Sequence, residues 1–165
     1  MCAAILFYET DKPYGCFSNF SRHPIVIGGV TWPTSEHYFQ AAKFTKRTDV
    51  DAVRSAPTPF LAAQMGRERR RSFRNDWDSA RDEVMREALH AKFTQHTDLL
   101  AILLSTHGAA LVEHTRNDRY WAHGGDGSGL NMLGAPPTCA ATAPSPTNRY
   151  QGAAASPARP GHTGW

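Results

Sequence analysis

The stretch Trp32-Pro33-Thr34-Ser35-Glu36-His37-Tyr38-Phe39-Gln40-Ala41-Ala42-Lys43-Phe44 decides how this chain is organised. Proline 33 holds Trp32 extended, because its ring clashes with a helical residue before it. Thr34 can then cap a helix, with Ser35 and Glu36 in the first turn. The pattern predicts a helix running to about Thr45. Glu36, Gln40 and Lys43 are spaced at four and seven and share one face, and His37, Ala41 and Phe44 share the adjacent one. Acids are favoured in a first turn because they complement the positive end of the helix, which is explanation enough for a glutamate there. The same field lowers a carboxylate's pKa. A Glu36 lining a cleft is therefore expected to be ionised and to suit a general base or a stabiliser of positive charge.

Around this stretch the chain alternates short apolar runs with amphipathic segments. Ala4 to Tyr8 reads as a strand and Lys12 to Gly15 as a turn. Phe17-Ser18-Asn19-Phe20 reads as a loop with a polar pair between aromatic residues. Pro24 to Trp32 reads as a hairpin with Gly28 and Gly29 at its turn. After the Glu36 helix, shorter helices are predicted over Thr48–Ser55 and Thr58–Met65, ended by Gly66. Arg67 to Arg74 is dense in arginine. Asn75 or Asp76 can cap the longest helix, Trp77 to about Thr94, where Val84, Met85, Ala88, Leu89 and Phe93 keep a helical period. Another apolar helix spans Asp98–Ser105, Gly108 stops it, and Leu111–His114 alternates as a short strand. Asn117 to Asn131 reads as a glycine-rich loop.

The chain has 165 residues, 41% hydrophobic and 20% charged, with a formal charge of +3. That size supports one core. The charge is too small to argue for non-specific nucleic-acid binding and fits a pocket for a small anion. Three cysteines, Cys2, Cys16 and Cys139, follow no metal or redox spacing. They point to a reduced, cytoplasmic setting. No basic, apolar leader is evident, and no apolar run is long enough for a membrane span. Residues 135–165 hold six prolines and eight alanines and lack Leu, Ile, Val and Phe. Such a segment buries too little apolar surface to offset its ordering and is expected to be disordered. The folded domain is therefore placed at 1–134.

Four further features bear on function. Trp121 to Asn131 carries four glycines with Asp126 and Asn131. Backbone there can approach a ligand closely, and successive N–H groups can hold an anion. The plain alternative is a solvent-exposed loop. It is neither a dinucleotide fingerprint nor a calcium loop, since Pro137 stands where the closing glutamate would be. Among the arginines, Arg67, Arg71 and Arg74 are candidates to grip a phosphate, and spacing does not choose among them. Trp32 and Trp77 are core residues or stacking platforms. The histidines are scattered and predict no metal.

Several motifs occur in order: Phe7-Tyr8-Glu9-Thr10, Tyr14-Gly15-Cys16-Phe17-Ser18-Asn19-Phe20, Gly29 to Phe44, Arg74-Asn75-Asp76-Trp77-Asp78, Val84 to His96, Leu111-Val112-Glu113, and Asp118 to Gly134. The series resembles the NADAR family of YbiA-like N-glycosidases. That resemblance implies a mostly helical, compact α+β domain with a small β element, needing no cofactor or metal. It implies hydrolysis of the C–N bond between a ribose and a base-like heterocycle. The implied substrate is a phosphoribosylated pyrimidine intermediate of riboflavin synthesis, with release of ribose 5-phosphate. ADP-ribose on guanine, in nucleic acid, is an alternative substrate. A non-catalytic ADP-ribose or NAD-binding module and a destabilised pseudogene product remain open.

Carried over by motif, the resemblance assigns Glu36 and Asp126 as catalytic. Glu36 would stabilise charge at C1′ and activate water. Asp126 would orient the ribose hydroxyls or protonate the leaving group. Ser18, Asn19, Trp77 and Trp121, likewise carried over, and Gln40, Lys43, Arg67, Gly127, Gly129 and Asn131, taken from the reading of the residues, would bind substrate. Two departures stand out. Ala122 and His123 follow Trp121, where the family usually has glycine and often an acid. After Gly134, Ala-Pro-Pro-Thr replaces a closing amphipathic helix, which predicts a shifted reading frame from that point.

Overall fold

A computed structural model of the protein describes residues 4–134. The readings made for 135–165, the disordered tail and the shifted frame, lie outside the described residues. Four three-residue strands and five helices follow one another in the order β1 (Ile5–Phe7), β2 (Ile25–Ile27), β3 (Val30–Trp32), α1 (Ser35–Ala41), α2 (Arg47–Arg54), α3 (Pro59–Met65), α4 (Trp77–Gln95), α5 (Thr97–Ser105) and β4 (Leu111–Glu113). The fold is α+β and mostly helical, as the resemblance implies. None of its helices is long and apolar enough to cross a membrane.

The β2–β3 hairpin forms because Gly28 and Gly29 take φ of 59° and 75°. Two consecutive left-handed residues are what a two-residue turn needs to match strand twist. β1 and β4 lie far apart in sequence and pair parallel, Phe7 opposite Glu113. Their carboxyl ends therefore open on the same side.

Helix α1 is the hub and packs against α2, α3 and α4. All seven of its residues are buried. Thr34 caps it as predicted, its Oγ1 accepting from the His37 N–H at 3.3 Å. Thr58 does the same for α3 through Leu61, with Pro59 in the first turn. The Glu36 helix is shorter than the sequence suggests and ends at Ala41. Beyond it the chain turns to run against the arginine segment. Thr45 N–H donates to Ser72 O at 2.8 Å, and Arg74 N–H donates to Lys43 O at 2.8 Å. This antiparallel contact carries the arginine run to the end of α1. Asp76 sits at the N-cap of α4 without a capping bond, because its carboxylate is gripped by Arg74 at 2.5 and 2.6 Å.

The core joins Phe7, Phe17, Ile25, Trp32, Phe39 and Phe44 to Val84, Met85 and Ala88 of α4. Replacing Thr34 by alanine removes the α1 cap and the 2.8 Å contact of its hydroxyl with His37 Nδ1. The expected loss is about 1 kcal/mol of stability, measured as a lowered urea midpoint at unchanged m-value.

Candidate active site

The Phe17–Phe20 loop and the first turn of α1 are joined through Asn19. Its carbonyl accepts from the Glu36 N–H at 3.2 Å, and its Oδ1 accepts from Ser35 Oγ at 3.1 Å. Its Nδ2 donates to Met85 Sδ at 3.1 Å, tying the same residue to α4. One residue earlier, the Ser18 carbonyl accepts from Lys92 Nζ at 2.8 Å, and Ser21 Oγ takes a second Lys92 bond at 2.7 Å. Lys92 is fully buried, and no carboxylate lies within ion-pair distance among the described residues. It sets the loop against α4, and the loop sets Glu36. Burial brings its amine down to about 7.

Glu36 is buried, and Gln40, one turn on, donates to its Oε1 at 2.7 Å. The predicted face of Glu36, Gln40 and Lys43 thus exists. Burial pushes the Glu36 carboxyl above the ordinary glutamate range, against the pull of Gln40, Lys43 and Arg67. The expectation of a lowered pKa is reversed. A seven-residue helix offers a small field, and taking the carboxylate out of water outweighs it. Burial also drives Lys43 down to about 8. Its Nζ stands 5.4 Å from the Phe39 ring centre and 5.5 Å from that of Trp77.

Partners distinguish the arginines from one another. Arg71 pairs with Asp49 and Glu68, and Arg74 with Asp76. Arg67 has no such partner among the described residues, and its charge reaches both Glu36 and Lys43. Gly66, just before it, lies under Gln40: a Cβ there would fall 1.8 Å from Gln40 Oε1. That buried oxygen has no hydrogen-bond partner among the described residues.

The glycine-rich loop behaves differently from the expectation of an anion cradle. Four of its amides are spent on the loop itself. Gly127 and Gly129 N–H donate to His123 O, Gly125 N–H to His123 Nδ1, and Ser128 N–H to Asp126 Oδ1. Gly129 is glycine because a Cβ would meet Ala122 O at 2.2 Å. Gly127, at φ 83°, turns the loop back. Asn131 is a clamp: its Oδ1 accepts from Glu113 N–H at 3.0 Å and its Nδ2 donates to Leu111 O at 2.8 Å. It thereby acts like another strand beside β4.

Asp126 is exposed, ion-paired with Arg119 at 3.2 Å, and held down to about 2 by its bonds from Ser128. A carboxyl that acidic is no proton donor near neutral pH. The acids that feel Glu36 are two others, Asp118 and Glu113. Asp118 Oδ1 accepts from both Tyr120 and Trp121 N–H at 2.7 Å, which orients Trp121. The Trp121 ring meets Phe39 edge-on at 5.3 Å, and Phe39 meets Trp77 at 5.0 Å. Trp77 is buried in the core, whereas Trp121 keeps part of its surface open. The sequence reading missed Asp118 and Glu113 as site residues. The Asp-x-x-Trp spacing and the acid ending the Leu-Val-Glu strand were the available signals.

A model of the NADAR domain matches residues 6–136. The chain belongs to the NADAR family. It is 53% identical over 130 residues to the N-glycosidase YbiA of Escherichia coli, covering 79% of this chain and 81% of that one. The NMR structure of that protein superposes with a TM-score of 0.74, covering 79% of this chain and 78% of the other. The N-glycosidase Npun_R5314 of Nostoc punctiforme is 44% identical over 133 residues, covering 79% and 85%. The maize riboflavin biosynthesis protein PYRR is 41% identical over 145 residues, covering 79% of this chain and 23% of that longer one. The NADAR match takes in both loops and all five helices described above.

Lys92 supplies a test of how this NADAR site is held. An unfolded lysine titrates near 10.4 and the folded one near 7. Between those values the unfolded chain binds the proton that the folded chain has released, so Lys92 makes stability rise with pH there. Below about pH 7 both states are protonated and the slope vanishes. Lys92→Met lacks this term. From about pH 7.5 to 9.5, wild type is expected to gain about 1 kcal/mol per pH unit over the variant, read by urea unfolding at each pH.

Proposed function

We propose that this chain hydrolyses the ribosyl C–N bond of a phosphoribosylated pyrimidine intermediate of riboflavin biosynthesis and releases ribose 5-phosphate. As a NADAR protein 53% identical to an N-glycosidase, the chain is a hydrolase of N-glycosyl bonds. The observation that carries the finer reading is a buried carboxyl, Glu36, braced by Gln40 and bordered by two cations, Lys43 and Arg67. The riboflavin-biosynthesis name of the maize relative supports the substrate.

Breaking a ribosyl C–N bond builds positive charge on the sugar. A carboxylate out of water beside C1′ stabilises that charge strongly, because little solvent screens it. Glu36 is assigned that position, and it accepts a proton from the attacking water. The unpartnered Oε1 of Gln40 offers an acceptor to a ribose hydroxyl. Lys43 and Arg67 hold the 5′-phosphate, with Arg67 suited to a forked contact. Trp121, oriented by Asp118 and packed edge-on against Phe39 of α1, walls the site. Ser18 and Asn19 hold the α1 entrance. Gly127, Gly129 and Asn131 act on substrate through the loop they shape. Asp126 belongs to this group: it fastens the loop that fixes Trp121.

Incubating the protein with the phosphoribosylated diaminopyrimidine and measuring ribose 5-phosphate tests the proposal. Release by wild type and a fall in kcat of about 100-fold or more in Glu36→Gln are expected. Release from ADP-ribosylated guanosine alone would move the substrate to the ADP-ribose class. Equal rates in wild type and Glu36→Gln would remove Glu36 from the chemistry. Because burial raises the Glu36 pKa, the acid limb of kcat should lie above the ordinary glutamate range and be absent in Glu36→Gln.

A further inference from the structure

With Asp126 ionised on the surface and Lys43 assigned to the phosphate, the site described so far has no proton donor on the side of the departing base. A neutral pyrimidine amine leaves poorly as an anion, so a donor on the leaving-group side is a chemical requirement of a fast reaction. The parallel pair β1–β4 supplies a place for one. Both strands end at a cleft of about 690 Å³. Its walls include Tyr8 just after β1, Ser18 and Phe20 of the loop bonded to α1, Pro59 at the start of α3, and Glu113 at the end of β4.

Glu113 is the acid this geometry singles out. Its main chain is fixed on both sides by the glycine-rich loop, the N–H by Asn131 Oδ1 at 3.0 Å and the carbonyl by His123 N–H at 3.1 Å. Its carboxyl has no hydrogen bond or ion pair among the described residues. Ser18 on the same wall precedes the residue whose carbonyl holds the Glu36 N–H, and the Glu36 charge is felt at the Glu113 carboxyl.

We propose that Glu113 is a catalytic residue, the general acid that protonates the leaving nitrogen of an aromatic heterocycle seated in the cleft between the carboxyl ends of β1 and β4. This rests on the N-glycosidase reading and deepens it. As the C1′–N bond breaks, its electron pair goes to nitrogen, which takes the Glu113 proton. Water adds to C1′ and gives one proton to Glu36. Transfer of that proton through solvent to Glu113 resets both acids, so one water is consumed for each bond cleaved. Tyr8 and Phe20 give the cleft aromatic surface for a flat base.

The protonation state agrees with the role. Burial, and then the negative charges of Asp118 and Glu36, push Glu113 up to about 7. A donor is most effective with a pKa near the working pH. The other charged groups of the cleft are Glu9, Asp11, Arg22 and His23, and His114 and His123 stand beside the strand end. None of these comes within ion-pair distance of Glu113.

The test compares two N-ribosides in wild type and Glu113→Gln. One carries a neutral heterocycle that must be protonated to leave, and the other a pyridinium that leaves already neutral. The variant is expected to lose about 100-fold in kcat on the first and less than about threefold on the second. It is also expected to lose the alkaline limb near pH 7 on the first. A thermally stable variant that loses both equally, or neither, overturns the proposal, as does an alkaline limb that persists. If only the neutral riboside turns over in wild type, that limb decides. Should Glu113→Gln not fold, Glu113→Asp replaces it: a slower enzyme that keeps the limb supports the role, and an unslowed one ends it. A wild type inactive on every N-riboside sinks the glycosidase reading itself, which the variants cannot do.

Discussion

The whole structure depends on keeping one short polar helix out of water. Ser35, Glu36, His37 and Gln40 are hydrophilic, yet α1 is buried along its length. Gln40 Oε1 apart, these groups find partners among the described residues, since an unpaired polar atom in the interior costs a sizeable part of a domain's stability. Ser35 turns to Asn19, Glu36 to Gln40, and His37 to Thr34 and the Ala56 carbonyl; Tyr38 bonds to Glu87 of α4. These partners come from the N-terminal loop, the α2–α3 connection and α4. A helix satisfied from three directions cannot shift without breaking several bonds together, so its carboxyl group has one position.

Burial also sets the chemistry. The same desolvation raises two acids, Glu36 and Glu113, and lowers two amines, Lys43 and Lys92. All four move toward neutrality and away from their solution values. The cost is shared with the fold: Lys92 holds Ser18 and Ser21 in place at the expense of a solvated charge. A site that must bring charge into existence on a sugar gains from an interior that has little solvent to screen it.

Much of the fold was legible because local signals agreed with the tertiary outcome. Gly28-Gly29 can make only a few turns, and Thr34 and Thr58 cap the helices they precede. The face joining Glu36 to Gln40 and Lys43 follows from helical spacing alone. What the sequence hid were quantities fixed by distant neighbours. The sign of the Glu36 shift depends on α2, α3 and α4 closing over α1, and no local pattern reports that. The glycine loop looks like a ligand cradle because glycines remove side chains. Which amides stay free depends on where His123 O points, and it accepts from both Gly127 and Gly129. Asp126 was conspicuous in the motif, yet motif prominence does not distinguish an acid that fastens a loop from one that faces a substrate.

Charge placement gives the site a direction. Lys43 and Arg67 approach Glu36 from the far end of α1 and the segment after α3, while Asp118 and Glu113 approach from the glycine loop and β4. Cations and acids thus meet around one carboxyl, Asp118 acting on Lys43 as well as on Glu36. A substrate with a phosphate at one end and a base accepting a proton at the other gains most with its phosphate at Lys43 and Arg67, since reversal would set phosphate against carboxylates. The orientation is enforced by the backbone as much as by the charges. Asn131 ties the acidic side to β4, and the contact of Lys43–Thr45 with Ser72–Arg74 ties the basic side to the end of α1. Both ties are made by segments without regular structure. The short strands and helices fix the two ends, and the loops between them decide which charge faces which.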